Sequence, residues 1–468
     1  MIERLTSDSR RVAPGAAFFA WPGASADGRR FIAQAIERGC AAVVWESEGF
    51  AWDRAWRSPN AGVRDLRAQA GHFAHAFYGR PSESLWVCGI TGTNGKTSCA
   101  QWIAHVLSLK EIKTGVIGTL GSGFQPDLNS IDNTTPDALE LHRLLSEFRS
   151  AGAVAVAMEA SSHGLDQGRL NGVAFDCALF TNLTHDHLDY HGTLDAYAEA
   201  KTRLFDMPGL AAAVLNLDDA FGAQLAKRLA ARSVRTIGYS LSGNSASEYI
   251  SASCIEGQKA RIRSSWGSAE VTISQPGRFN VANALGVLGC LVAKGIAFEE
   301  AARLLESLPQ VPGRMQKISD RPLVVVDYAH TPDALDKVLA SLKPLAQASG
   351  GRLTVVFGAG GGRDKAKRPV MGSVAAARAD RLVLTSDNPR GEDPRAIVEA
   401  IREGVSGDCV VELDRAKAID AAIASADDAD VVLIAGKGHE EYQEVAGARL
   451  PFSDAAIAGA ALARRGEG

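Results

Sequence analysis

The stretch VCGITGTNGKTSCAQWIAHVL, starting at Val87, places glycines at 89, 92 and 95 before a Lys96-Thr97 pair and a run with helical spacing. A strand, a Gly-rich turn and a helix in that order present backbone N–H groups and a helix N-terminus to phosphates. Lys96 can contact those phosphates and the Thr97 hydroxyl can reach Mg²⁺. The spacing is not the usual G-x-x-x-x-G-K-[ST], since Ile90 stands where the first glycine would be. The order of the parts nevertheless predicts a nucleoside triphosphate site. A second group points the same way: Glu159 ends the apolar run AVAVAME, and an acid at the carboxyl end of a strand is placed to hold Mg²⁺ directly or through water.

Other clusters are less decisive. TNLTHDHLDYHGT brings His185, His187 and His191 close in sequence and raises a zinc reading, but a binuclear H-x-H-x-D-H pattern needs His at 190, where Tyr190 stands. GHEEY likewise lacks the second His of H-E-x-x-H. A zinc hydrolase remains as the weaker alternative. At 386–394, SDNPRGEDP sets an acid, an amide, a proline and an arginine in succession after an apolar run, a pattern that taken alone reads as a polar turn.

These residues need elements to position them. From about residue 86, LWVCGI, AVAVAME, CALFTNL and AAVLNL alternate with stretches of helical spacing, the pattern of a parallel sheet covered on both faces. A second series, PLVVVDYAH, RLTVVFGAG, RLVLTSDNPR and DVVLIAGKG, ends each strand in Gly, Asp or Asn, so those four endings should line one crevice. The Pro312-Gly313 pair is a plausible break between the two series. GAAFFAWPG, CAAVVWES and RRFIAQAIERG suggest a small α/β unit of their own. At roughly 100 to 200 residues per domain, 468 residues make two to four domains. The expectation is an α/β chain of three: a small α/β domain (1–85), a central P-loop parallel-sheet ATPase domain (86–312) and a Rossmann-like domain (313–468).

Composition narrows the classes further. A net charge of -4 gives no global positive field for nucleic acid or an anionic membrane. The seven cysteines are scattered and form no C-x-x-C pair, which fits a reduced compartment and suggests neither zinc nor redox chemistry. There is no apolar run of about 18 residues and no apolar segment near Met1, so neither membrane spanning nor secretion is expected, and a cytoplasmic setting is.

GITGTNGKT, MEASSHGLDQGR, TNLTHDHLDYHG, AKTRLF, GRFNVANALG, DYAHTPDAL, GGGRDKAKRP, DNPRGEDP and GKGHEEY occur in this order, and together the chain closely resembles the Mur ligases of peptidoglycan synthesis, in their diaminopimelate-adding branch. The resemblance runs from SDSRRVAPG to GKGHEEY. It implies an ATP-dependent amide-bond ligase, a monomer acting on small molecules. Its amino-terminal domain would bind the uridine nucleotide, its central domain ATP, and its last domain the incoming amino acid.

The resemblance also implies roles. Gly92, Thr93, Asn94, Gly95, Lys96, Thr97 and Ser98 would hold the ATP phosphates, with Lys96 on the transferring γ-phosphoryl group and Thr97 on the metal. Glu159 and His187 match magnesium ligands, and Lys201 matches a lysine that the family carbamylates, turning a cation into an anion that can help bind Mg²⁺. Asn283 would contact adenine, Arg314 the phosphates and Asp327 the ribose; the last two lie beyond the domain break, so domain closure would complete the site. For UDP-MurNAc-L-Ala-D-Glu the match points to Ser7, Ser9, Ala24, Ser25, Ala26, Asn133, Thr134, Thr135, Ser161, Gln167 and Arg169.

For meso-diaminopimelate the match points to Asp387, Asn388, Pro389 and Arg390, with Gly436 and Glu440 on the distal ammonium end and Arg363 on the other carboxylate. Diaminopimelate is in effect lysine with one more carboxylate. A buried guanidinium can pair with that group through two parallel hydrogen bonds, which lysine would leave unmade. Arg390 is therefore the expected specificity residue. The rivals are a lysine-adding or folylpolyglutamate-type relative, an ATP-hydrolysing regulatory protein, and the zinc hydrolase.

Overall fold

A computed structural model describes residues 1–23, 26–255 and 258–466. The apolar run at the phosphate loop shows no polar alternation because both its faces are covered. It forms the strand Trp86–Thr91, whose last five residues are all buried, inside an eleven-stranded sheet. Its direct neighbours are the parallel strands Cys177–Phe180 and Ala155–Glu159. Ala212–Asn216, Arg235–Ser240 and Glu248–Ile255 extend the parallel part on one side and Thr114–Gly118 on the other. Both edges turn antiparallel, through Lys259–Ser264 and Gly267–Thr272 at one end and Gly121–Phe124 and Asp127–Asn129 at the other. Helices Lys96–Leu109 and Arg278–Ala293 bury their apolar residues against one face. Ala138–Ser150 and Leu194–Phe205 do so against the other.

The last domain holds a six-stranded sheet in the order Gln316–Asp320, Leu323–Asp327, Val431–Ala435, Leu353–Phe357, Arg381–Leu384, Val410–Val411. Only the first of these is antiparallel, so the carboxyl ends of Leu323–Asp327, Val431–Ala435, Leu353–Phe357 and Arg381–Leu384 all emerge on one side. Pro332–Ser349, Lys367–Arg378 and Pro394–Arg402 cover one face, and Arg415–Ala424 and Asp454–Gly466 the other. This is a doubly wound, Rossmann-like arrangement. The first domain is a four-stranded parallel sheet of Arg4–Thr6, Ala16–Ala20, Ala42–Glu46 and Asn60–Val63. RRFIAQAIERG is helical over most of its length: the 3-10 helix Gly28–Phe31, capped by the Asp27 side chain, leads into the α-helix Ile32–Glu37.

Side chains fix the ends that matter for the site. Thr331 caps Pro332–Ser349 by accepting from Ala334 N–H, and Asp137 caps Ala138–Ser150 by accepting from Leu139 and Glu140 N–H. Such caps are worth about 1 kcal/mol each and set where the preceding loop stops. Among the described residues no helix is long and apolar enough to cross a membrane.

Candidate active site

The loop after Trp86–Thr91 takes its shape from two glycines. Gly92 has φ +146 and a Cβ there would lie 1.9 Å from Thr181 Oγ1; Gly95 has φ +88 and its Cβ would lie 2.5 Å from Asn283 Oδ1. Only glycine fits such positions. The next strand braces the loop: Thr93 N–H donates to Asn182 O at 2.8 Å, Asn94 N–H to Asn182 Oδ1 at 3.0 Å, and the Thr181 hydroxyl to Asn94 O at 2.6 Å. Lys96, first residue of its helix, folds back so that Nζ donates to Gly92 O and Thr93 O at 2.8 Å each. Burial pushes its ammonium below the ordinary value, which Glu159 and Asp186 partly offset. Thr97 and Ser98 are buried at the helix start, and Arg314 from the last domain donates through Nη2 to Thr97 Oγ1 at 3.2 Å. The Arg314 guanidinium lies 4.3 Å from the centre of the Tyr328 ring, a stacking contact that holds it over the loop.

Around the loop sit the expected acid, histidine and lysine. Glu159 is buried, and Thr119 holds both its oxygens, N–H to Oε1 at 2.7 Å and the hydroxyl to Oε2 at 3.1 Å. Lys201 is far from the surface lysine that its residue type alone suggests: it is 1% exposed, donates to Gly92 O at 3.0 Å and lies 4.1 Å from the Tyr197 ring centre. No carboxylate among the described residues stands within ion-pair distance of it. Burial, and then the neighbouring Lys96, push its amine well below the ordinary lysine range. His187 has φ +54, and burial pushes its imidazole down to about 3, the neutral form a metal ligand needs. Burial pushes the adjacent Asp186 carboxyl up, yet His330, His187 and Lys367 outweigh that and leave it below its ordinary value. Asp186 thus joins the central domain to the last one, with His330 Nε2 4.0 Å from its Oδ2. His185, His187 and His191 do not converge on a zinc geometry: among the described residues the only group of three metal-ligating atoms within 4.8 Å of one another is Cys88, Cys177 and Cys290.

The four strand ends of the last domain do line one crevice. A cavity of about 460 Å³ is walled by Tyr328, Gly360, Asp387 and Gly436 from those ends and by His185, Asp186 and His187 from the central domain. Arg363, Asn388, Arg390, Glu440 and Lys367 also face it. Asn388 is fixed on both sides, its Nδ2 donating to Glu440 Oε2 at 2.8 Å and its Oδ1 accepting from the buried Lys437 Nζ at 2.9 Å. Lys437 also donates to Glu440 Oε2 at 2.9 Å, which leaves the other Glu440 oxygen free of that network. Gly436, at φ +118, brings its backbone against Asp387, where a Cβ would lie 2.4 Å from Oδ2. Pro389 accepts from Glu392 N–H at 2.9 Å, closing the turn.

Arg390 differs from the expected buried guanidinium. Its side chain is 28% exposed, and its Nε already donates to Glu444 Oε2 at 3.1 Å and its Nη1 to Gly361 O at 2.7 Å. Sequence could not foresee Glu444, which lies 54 positions away and reaches Arg390 because a hairpin, Tyr442–Val445 with Ala448–Pro451, folds back on the turn. Asp327 differs too: Met315 N–H donates to its Oδ2 at 2.6 Å and Ala329 N–H to its Oδ1 at 2.8 Å, so it staples the turn that carries Arg314.

The remaining residues fall into two groups. Thr134, Thr135, Ser161, Gln167 and Arg169 gather beside Glu159. Thr134 Oγ1 lies 3.1 Å from Thr119 Oγ1, the Thr135 hydroxyl donates to Glu159 O, Ser161 N–H donates to Thr135 Oγ1, and Arg169 donates to Thr135 O and Gln167 Oε1. Asn133 is exposed nearby. In the first domain Ser9 donates to Gln34 Oε1 at 2.8 Å, Ser7 is half-buried and Ala26 is exposed; Ala24 and Ser25 lie outside the described residues. No hydrogen bond among the described residues joins Ser7 or Ser9 to the Thr134–Arg169 group, although Arg11 reaches Asp132 at 3.5 Å. Asn283 is buried under the loop beside Gly95. Thr119, Asp186, His330 and Lys437 went unmarked in the sequence. Asp186 and Lys437 each stand inside a quoted motif, next to histidines that drew the attention.

Three family models match the chain in order: "Mur ligase family, catalytic domain" over residues 1–78, "Mur ligase middle domain" over 90–291, and "Mur ligase, glutamate ligase domain" over 313–438. A protein of Chromobacterium violaceum named UDP-N-acetylmuramoyl-L-alanyl-D-glutamate--2,6-diaminopimelate ligase is 49% identical over 100% of this chain and 95% of its own length. A Neisseria meningitidis serogroup A protein of the same name is 46% identical over 98% and 95%. A solved structure of an enzyme of that name superposes with a TM-score of 0.68 at 37% identity, covering 99% of this chain and 95% of that one. MurF from Acinetobacter baumannii, at 22% identity and a TM-score of 0.66, shares the fold. With a phosphate loop, an interdomain cleft and full-length relatives all in agreement, the chain belongs to the Mur ligase family, ATP-dependent enzymes that form amide bonds.

Proposed function

We propose that the chain joins meso-diaminopimelate to the D-glutamate γ-carboxylate of UDP-MurNAc-L-Ala-D-Glu at the expense of ATP, as a cytoplasmic monomer. The observation that carries this reading is the single cleft in which Asp186 and His187, beside the phosphate loop, face Asp387, Asn388, Arg390 and Glu440. The names of the full-length relatives support the choice of substrates. In this reading residues 1–85 serve the uridine nucleotide, 86–312 ATP and 313–468 the amino acid.

The γ-carboxylate oxygen attacks the terminal phosphorus of ATP, ADP leaves, and an acyl phosphate remains. The amine of diaminopimelate then attacks the acyl carbon, and phosphate departs carrying one former carboxylate oxygen. Lys96 moves from Gly92 O and Thr93 O to the phosphates and spreads the charge of transfer, and Arg314 closes over them from the other domain. Glu159, His187, Thr97 and Lys201 are the residues that would hold Mg²⁺, which when bound would neutralise phosphate charge. The donor set suits it. Lys201 is buried without a counter-charge beside a second lysine, its amine is held toward the neutral form that adds CO₂, and the resulting carbamate would relieve the repulsion between the two.

In the cleft, Arg390 has five N–H donors, of which one goes to Glu444 and one to Gly361, leaving three for a carboxylate. The free Glu440 oxygen and Asp387 suit an ammonium group, and Arg363 the second carboxylate. The test is ADP release with the UDP-dipeptide and either meso-diaminopimelate, L-lysine or no amino acid, with the product weighed by mass spectrometry. Tripeptide formed with diaminopimelate supports the reading; ADP released equally without any amino acid would show a plain ATPase instead.

A further inference from the structure

Three of the cysteines that look scattered in the sequence meet in space. Cys88 lies within Trp86–Thr91, Cys177 opens Cys177–Phe180 and is its direct partner in the parallel register, and Cys290 comes from the helix Arg278–Ala293 on that face of the sheet. All three are fully buried and their sulfur atoms lie within 4.8 Å of one another, Cys88 to Cys290 at 3.8 Å. The reaction uses none of them.

We propose that Cys88, Cys177 and Cys290 form a three-sulfur site for one soft, thiophilic cation, of the class of Cd²⁺ or Cu⁺. Thiolate bonds as short as the zinc–thiolate length of about 2.3 Å, set in a trigonal plane, hold the sulfurs about 4.0 Å apart; Cys88 to Cys290 is 3.8 Å, and the other two edges are within 4.8 Å, which leaves room for the longer bonds of a larger ion. Thiolates select soft ions over Mg²⁺ or Ca²⁺, which need oxygen ligands, and the surrounding core of Leu179, Val287 and Leu291 supplies none from side chains. A divalent ion that displaces two thiol protons, leaving the third sulfur as a thiol, adds no net charge to this core, so the burial cost stays small. The two strands lead directly into Gly92 and Thr181, so an ion here would cross-link the base of the phosphate loop.

The full chain, stripped with a chelator and kept reduced without added thiols, is titrated with Cd²⁺ while thiolate-to-cadmium ultraviolet absorption and dialysis stoichiometry are followed. One ion per chain with thiolate absorption and a higher melting temperature is expected. Cys177→Ala and Cys290→Ala should each lose the absorption, whereas Cys99→Ala, buried in the same core outside the triangle, should keep it. Cadmium-113 NMR of the unaltered chain counts sulfur ligands without relying on any variant. A shift typical of oxygen and nitrogen ligands, or thiolate absorption that survives both triangle variants, would overturn the proposal.

Discussion

Arg390→Ala should damage diaminopimelate use far more than lysine use. Three of the five guanidinium N–H groups are uncommitted, enough for two parallel bonds to a carboxylate. Charge-assisted bonds are worth about 1.5 to 3 kcal/mol each, so a fully buried pair would lose about 3 to 6. With 28% of the side chain exposed and Glu444 Oε2 already at 3.1 Å, part of that attraction is screened and shared. A loss of about 2 to 4 kcal/mol is the better expectation, or about 30- to 1000-fold in kcat/KM for diaminopimelate. L-Lysine lacks the distal carboxylate that Arg390 would pair with, so its kcat/KM should move less than about 3-fold. The variant also strands the Glu444 carboxylate beside the substrate's own, and Arg390→Ala with Glu444→Gln should recover part of the loss. The assay is ADP release with each amino acid over a concentration series, with the product checked by mass. Equal losses on both amino acids, or no loss on diaminopimelate, would refute the reasoning.

Gly92→Ala should cut ADP release by about 100-fold or more with the fold retained by circular dichroism, because its Cβ would sit 1.9 Å from Thr181 Oγ1 and displace the loop. Asp454→Ala should cost about 3 to 5 kcal/mol in denaturant unfolding. It orphans Arg415, which is fully buried, pairs with both Asp454 oxygens, and also donates to Ser386 O and Ala435 O at the strand ends of the cleft. The double change Arg415→Met with Asp454→Leu should restore most of that stability. His142 should make folding acid-sensitive: burial pushes its imidazole from 6.5 down to about 4, so below pH 6.5 the unfolded chain takes up a proton that the folded chain refuses. Its share of stability, about 3 kcal/mol, is then complete above about pH 6.5 and lost as pH falls to about 4. His142→Gln keeps a donor for Asn171 O, which His142 Nε2 reaches at 3.0 Å, and should flatten stability against pH over that window.

Local pattern carried most of the fold. Continuous apolar runs read as covered parallel strands; Ala155–Glu159 and Leu323–Asp327 fall inside them, and Trp86–Thr91 overruns LWVCGI by one residue. The antiparallel edges of the central sheet were not legible, since hairpins such as Gly121–Phe124 with Asp127–Asn129, built largely of Gly, Ser, Asp and Asn, carry little apolar signal. The loop glycines and the four strand endings announced themselves through spacing, because backbone geometry demands it. Partners set by tertiary approach did not: Glu444 on Arg390, Thr119 on Glu159 and Asp186 facing His330 are contacts across 54, 40 and 144 positions. Cys88, Cys177 and Cys290 show the same limit, since the absence of a C-x-x-C pair says nothing about cysteines that a parallel register and a covering helix bring together.

The account stands on phosphoryl transfer and amide formation sharing one cleft. The most direct test uses UDP-MurNAc-L-Ala-D-Glu labelled with oxygen-18 in the γ-carboxylate, with ATP and meso-diaminopimelate, and weighs the phosphate released. Phosphate carrying one labelled oxygen for each tripeptide formed is the predicted result. Unlabelled phosphate accompanying the tripeptide would contradict the acyl-phosphate route, and unlabelled phosphate without any tripeptide would contradict the ligase itself.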